Sequence, residues 1–261
     1  MGLSKIQIRE VESVLKEGLR NKFKKYNPEP ASMPFHTRLL GKDRLALFSF
    51  IHSLNTNFGT SIFEPVTLVL AKNNFKDARS HVGAGDFIYE GAQFEIQKIM
   101  DRLMTAQTVP DKIKEIEKIR SACQKGKKRK VKLTKVDIFL EENNGELLLF
   151  DLKSAKPNIG EFKGFKRTLL EWVAAILAVN KKARINTLVA IPYNPYEPKP
   201  YMRWTMRGML DLDKELKVAS EFWNFISGDG TYQDLLDCFE RVGIELRPEI
   251  DKYFARFANK R

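Results

Sequence analysis

Three charged side chains sit where two short apolar runs meet polar sequence: Asp137 in Lys135-Val136-Asp137, and Asp151 and Lys153 in Phe150-Asp151-Leu152-Lys153. Two carboxylates and an ammonium brought together suit phosphodiester hydrolysis. That reaction needs a hard cation to neutralise phosphate, a polarised water, and stabilisation of the charge that builds around phosphorus. Asp137, Asp151 and Lys153 are therefore the candidate catalytic set. Asp137 and Asp151 are the expected Mg²⁺ ligands, and the backbone carbonyl of Leu152 could complete the inner shell. Lys153 is expected to orient or deprotonate the attacking water and to oppose negative charge.

This chemistry requires two adjacent strands. Val131, Leu133, Val136, Ile138 and Leu140 carry a strand pattern, Asn143-Asn144-Gly145 supplies a turn, and Leu147-Leu148-Leu149-Phe150 reads as a strand covered on both faces. Because strand side chains alternate, Asp151 and Lys153 share a face while Leu152 points to the core, and a hairpin brings Asp137 beside them. An amphipathic helix from Gly160 to Val179 and a core strand at Thr187–Ile191 follow. Strand, strand, helix, strand describes an α/β core with a mixed sheet.

The remaining chain is read as mostly helical. Helices are expected over Ile6–Phe23, Lys42–Leu54, Ser61–Ala71, Gln93–Met104 and Pro110–Cys123, with a break at Asn57, Gly59 and Thr60. Gly83–Tyr89 reads as a loop with a short extended piece. The prolines between Asn194 and Tyr201 make a loop, and helical patterning resumes over Leu216–Phe225 and Tyr232–Val242 before a basic closing helix.

The D-x13-D-x-K arrangement resembles the PD-(D/E)XK nuclease superfamily, with Val136 where the superfamily's name has proline. Asp151-Leu-Lys-Ser-Ala-Lys-Pro-Asn158 and Glu161-Phe-Lys-Gly-Phe-Lys-Arg-Thr-Leu-Leu-Glu-Trp172 are further similar to TdeIII-type type II restriction endonucleases, a group with MjaII-like members. The resemblance spans about Lys135 to Ala175. It implies one restriction-endonuclease-like domain over 1–261: a mainly helical part at 1–125, the catalytic α/β core at 126–193, and a loop with C-terminal helices at 194–261. It also implies an Mg²⁺-dependent cutter of double-stranded DNA, acting as a homodimer on a short two-fold-symmetric site of the GGNCC kind. Two alternatives stay open: a structure-specific repair or junction-resolving nuclease on the same fold, and a noncatalytic DNA-binding module.

Many superfamily members add an acidic metal ligand from an upstream helix. Glu64 is the candidate here and Glu95 the second choice, although Glu64 before Pro65 also reads as an ordinary residue at a helix start. For DNA contacts the candidates are Lys156, Asn158, Lys163, Lys166 and Arg167 beside the catalytic strand, and Arg203 and Arg207 after the proline-rich loop. Against these stand a solvated helix face for the lysines and Arg167, a helix cap for Asn158, and a packing loop for the distal arginines. The run Lys127–Lys130 either meets phosphate or solvates a turn.

Composition supports these readings and excludes others. A formal charge of +12, from 45 Lys+Arg against 33 Asp+Glu, favours a polyanionic partner, although a lysine-rich solvated surface gives the same count. Cys123 and Cys238 are too few and too far apart for a disulfide framework or zinc knuckle. His36, His52 and His81 are scattered without ligand spacing and are read as packing or surface residues. The first residues lead directly into a charged helix, and no apolar run approaches a membrane span, so a cytoplasmic location without a membrane partner is expected.

Overall fold

The computed structural model describes residues 2–26, 34–153, 161–201 and 208–258, without the side chains of 43, 56, 57, 257 and 258. The chain packs into two compact units, 1–69 with 228–261, and 70–227. Strands and helices from the first half of the chain (β1, β2, α5 and α6, below) belong to the second unit.

In the first unit α1 (Lys5–Lys25) begins in a capping box: the Ser4 side chain accepts from the Gln7 amide and the Gln7 side chain accepts from the Ser4 amide. α1 packs on α9 (Thr231–Glu245), and α10 (Arg247–Ala258) packs on α3 (Lys42–Phe58). Phe23, Phe50, Tyr253 and Phe254 form an aromatic cluster, with Phe23 and Tyr253 stacked at 4.5 Å. α2 (Pro34–Leu40) precedes α3. The expected break at Asn57–Thr60 does not occur: α3 runs to Phe58, a single π-helical turn spans Gly59–Phe63, and α4 (Glu64–Ala71) continues. Pro65 explains this, since it has no N–H and its ring crowds the carbonyl one turn back, so the ladder shifts to the wider register in which the Glu64 amide donates to Gly59.

Among the described residues, the second unit holds a five-stranded sheet in the order β1 (Asp77–Val82), β4 (Val136–Glu141), β5 (Leu147–Leu152), β6 (Ile185–Ile191), β7 (Leu216–Val218). β1–β4 and β4–β5 are antiparallel, and β5–β6 and β6–β7 are parallel, which is the mixed sheet expected. The β4–β5 turn forms where the sequence places it. Gly145 takes φ 82°, its amide bonds the Glu142 carbonyl at 2.9 Å, and the Asn144 side chain accepts the Glu146 amide at 2.8 Å.

α7 (Phe162–Val179) crosses from β5 to the parallel β6, with Leu169, Leu170, Trp172 and Val173 buried. α5 (Glu90–Met104) and α6 (Lys112–Ala122) pack against α7. On the Ile138–Leu140–Leu148–Phe150 side, Phe150 meets Phe222 of α8 (Ser220–Ser227) at 5.6 Å. Fully burying one such side chain contributes about 1.5–3 kcal/mol.

Three local expectations are corrected. β1 is an edge strand where only a following loop was read, because its alternating Asp77, Arg79 and His81 hide the apolar period. Leu216–Val218 is a strand, and Ala219, at φ 49°, turns the chain before α8 begins. Lys128–Lys130 forms β3, antiparallel to β2 (Phe87–Tyr89), with Lys128 over the Phe87 ring and Arg129 bonded to Glu90.

Candidate active site

The sheet register builds the site. Ile138 pairs with Phe150, so the next position places Asp137 across from Asp151, and directly opposed residues in an antiparallel pair project to the same face. Phe139 of the same face stacks beneath the Arg79 guanidinium at 4.6 Å, which marks that side. Lys153, two residues beyond Asp151, extends the row past the strand end. Its amide still donates to the Ala190 carbonyl at 2.9 Å, holding the segment in the parallel ladder with β6.

The side chains contact one another as this register requires. Lys153 Nζ lies 2.6 Å from Asp151 Oδ1, and the Leu152 amide donates to Asp137 Oδ2 at 2.7 Å. Lys153 also sits over the Phe165 ring of α7, 4.8 Å from its centroid. Its ammonium is thus held between a carboxylate and an aromatic face.

Asp151 is 2% exposed. Burial pushes its carboxyl up, Lys153 pulls it back through charge and hydrogen bonding, and Asp137 pushes it up again, leaving it at about 6 against an ordinary 3.8. A buried carboxylate facing a second carboxylate is a donor set that a divalent cation would relieve. The residues present therefore fit a metal, with oxygen donors from Asp137, Asp151 and the Leu152 carbonyl.

His81, read from sequence as packing or surface, is drawn into this neighbourhood. A ring nitrogen of His81 and a carboxylate oxygen of Asp137 lie within 4.8 Å of each other. The sequence signal for it was absent, because the two residues meet across strands and not along a motif. Glu64 is 2% exposed at the start of α4 in the first unit, and Glu95 is half-buried on α5.

Among the DNA-contact candidates, Lys163 is exposed on the first turn of α7, and Arg167, one turn on, donates to Gln97 at 2.7 Å. Lys166 is corrected: it has no exposed surface. Its ammonium is enclosed by Glu115, which it bonds closely, and by Glu215 at 2.7 Å, so it cannot meet phosphate in this arrangement. Lys112 joins the network through Glu215 at 3.2 Å and a bond to the Thr187 carbonyl at 2.7 Å. Burial lowers the Lys112 ammonium and raises the Glu115 carboxyl. In Glu215 the upward effect of burial is outweighed by Lys112 and Lys166, and its carboxyl lies below the usual range. Lys156, Asn158, Arg203 and Arg207 lie outside the described residues.

Residues 3–243 match the sequence profile of the family described as type II restriction endonuclease, HinfI. The chain is similar to the type II restriction enzyme MjaII of Methanocaldococcus jannaschii, 24% identical over 97% of this chain and 74% of that enzyme. It is also similar to the type II restriction enzymes HgiCII and HgiEI of Herpetosiphon aurantiacus. These are 25% and 27% identical, over 84% and 83% of this chain and 80% and 79% of theirs.

Proposed function

The chain belongs to the HinfI family of type II restriction endonucleases, site-specific deoxyribonucleases with a restriction-endonuclease-like α/β fold, and on that premise we propose how its residues cut DNA. Asp137, Asp151 and the Leu152 carbonyl would hold the divalent cation, Mg²⁺ by the superfamily resemblance, and Glu64, with Glu95 as second choice, is the candidate for the further carboxylate that many superfamily members add. The cation, when bound, supplies positive charge to the scissile phosphate and to the water that attacks it.

The chain's own residues do the rest. Lys153, positioned by Asp151 and Phe165, orients the attacking water and opposes the charge that builds as water adds to phosphorus and the bridging P–O bond breaks. Lys163 and Arg167 on α7 contact phosphates flanking the cut, joined by Lys156. Asn158, Arg203 and Arg207 remain candidates for DNA contact, the arginines for reading guanine. The observation that carries this reading is the shared row of Asp137, Asp151 and Lys153 at the ends of two paired strands.

The protein acts as a homodimer, because two antiparallel strands cut at symmetric positions call for a two-fold axis. Exposed apolar side chains on α2 and α3, among them Phe35, Leu39 and Phe48, support such an association. The site is of the GGNCC kind. Incubation of a long duplex of many sequence contexts with Mg²⁺ or EDTA, followed by mapping of the ends, tests the reading. Mg²⁺-dependent cuts at one recurring sequence support it, and unselective or EDTA-resistant degradation contradicts it.

A further inference from the structure

His81 interrupts the edge of the sheet at the position facing the candidate metal ligands. Ser80 pairs with Ile138 and Val82 with Val136, so the register slot between them sets His81 opposite Asp137. His81 takes φ 54° there, a left-handed conformation that non-glycine residues seldom adopt, least of all within a strand. The register on the other side of β4 sets Asp151 opposite Asp137. One row therefore crosses three neighbouring strands: an imidazole from β1, a carboxylate from β4 and a carboxylate from β5. A ring nitrogen of the exposed His81 and an oxygen of Asp137 lie within 4.8 Å, close enough to share one ion.

We propose that His81 is a nitrogen ligand of the catalytic cation, making the site a mixed nitrogen–oxygen centre that favours Mn²⁺ or another first-row divalent ion over Mg²⁺. This rests on the reading that Asp137 and Asp151 hold a cation. Carboxylate, carbonyl and water oxygens suit Mg²⁺, whereas an imidazole nitrogen adds most to the binding of ions later in the first transition row. The edge strand thus tunes which metal the nuclease takes, without altering the acid pair or Lys153.

The test uses the full chain and Mn²⁺ alone, with no DNA. Pulsed electron paramagnetic resonance of the Mn²⁺-loaded protein should show imidazole nitrogen modulation that disappears in His81→Asn, a substitution compatible with positive φ. By calorimetry, His81→Asn should weaken Mn²⁺ binding at least about tenfold and Mg²⁺ binding less than about threefold. His81→Gly, which suits φ 54° without offering a ligand, should bind Mn²⁺ like His81→Asn. Mn²⁺ bound in an Asp151-dependent way but without nitrogen modulation overturns the His81 assignment alone. Mn²⁺ binding that is absent, or unchanged in Asp151→Asn, overturns the underlying carboxylate site and the assignment with it.

Discussion

Asp151 is buried beside Asp137, and its carboxyl titrates near 6 where an ordinary one titrates at 3.8. The folded state therefore holds this proton more tightly than the unfolded chain does. Without metal, stability is greatest below the unfolded value and falls as pH rises through the window between 3.8 and about 6, by roughly 3 kcal/mol in all. Urea unfolding in EDTA should show this fall in the wild type. Asp151→Asn should flatten it and be the more stable protein at pH 7.5, while losing cleavage. Equal pH slopes in the two proteins would contradict the burial argument. A residue that costs stability is retained for another reason, and binding a cation is the reason proposed here. Asp151 and Lys153 were legible because a two-residue alternation and a turn signal operate within a few positions. His81 was not, because its partner is set by strand pairing across more than fifty residues of chain.

At the scale of elements, the hairpin and the crossover to β6 followed from apolar runs and a turn, whereas edge strands β1 and β7 did not. An edge strand half-open to solvent can alternate charges, as Asp77, Arg79 and His81 do, and a three-residue strand such as Leu216–Val218 is too short to display a period. The cluster of Lys112, Glu115, Lys166 and Glu215 was equally hidden, since buried ion pairs look like solvated charge until distant segments meet. It ties α6 and α7 together, and Phe165, adjacent to Lys166, stacks on Lys153. Lys166→Met leaves the buried Glu115 without its cation and Glu215 with Lys112 alone, and should destabilise the fold by about 3–5 kcal/mol in chemical denaturation. A substitution that costs less than about 1 kcal/mol would mean the network is open to water. Phe165→Leu, by contrast, should leave stability nearly unchanged and slow cleavage through a less well-held Lys153, read as a lower kcat at constant DNA affinity.

For the whole molecule, the net charge of +12 implies DNA binding that weakens steeply with salt. Filter binding in Ca²⁺ from 50 to 200 mM salt should lose about a thousandfold or more in affinity if several phosphates are neutralised. A flat salt response would place the charge away from DNA. The proposed two-fold assembly is checked by sedimentation: Leu39→Glu combined with Phe48→Glu should convert a dimer to a monomer and turn double-strand cleavage into nicking. A wild-type protein that sediments as a monomer on cognate duplex contradicts the dimer. Among the described residues, no helix is long and apolar enough to cross a membrane.

The claim that Asp137, Asp151 and Lys153 form one catalytic row is met most directly by single-turnover cleavage of a mapped site with Lys153→Ala, alongside its DNA affinity in Ca²⁺. The row predicts a loss of at least about a hundredfold in the cleavage rate with affinity unchanged. Cleavage at the wild-type rate would remove Lys153 from the chemistry and contradict the account.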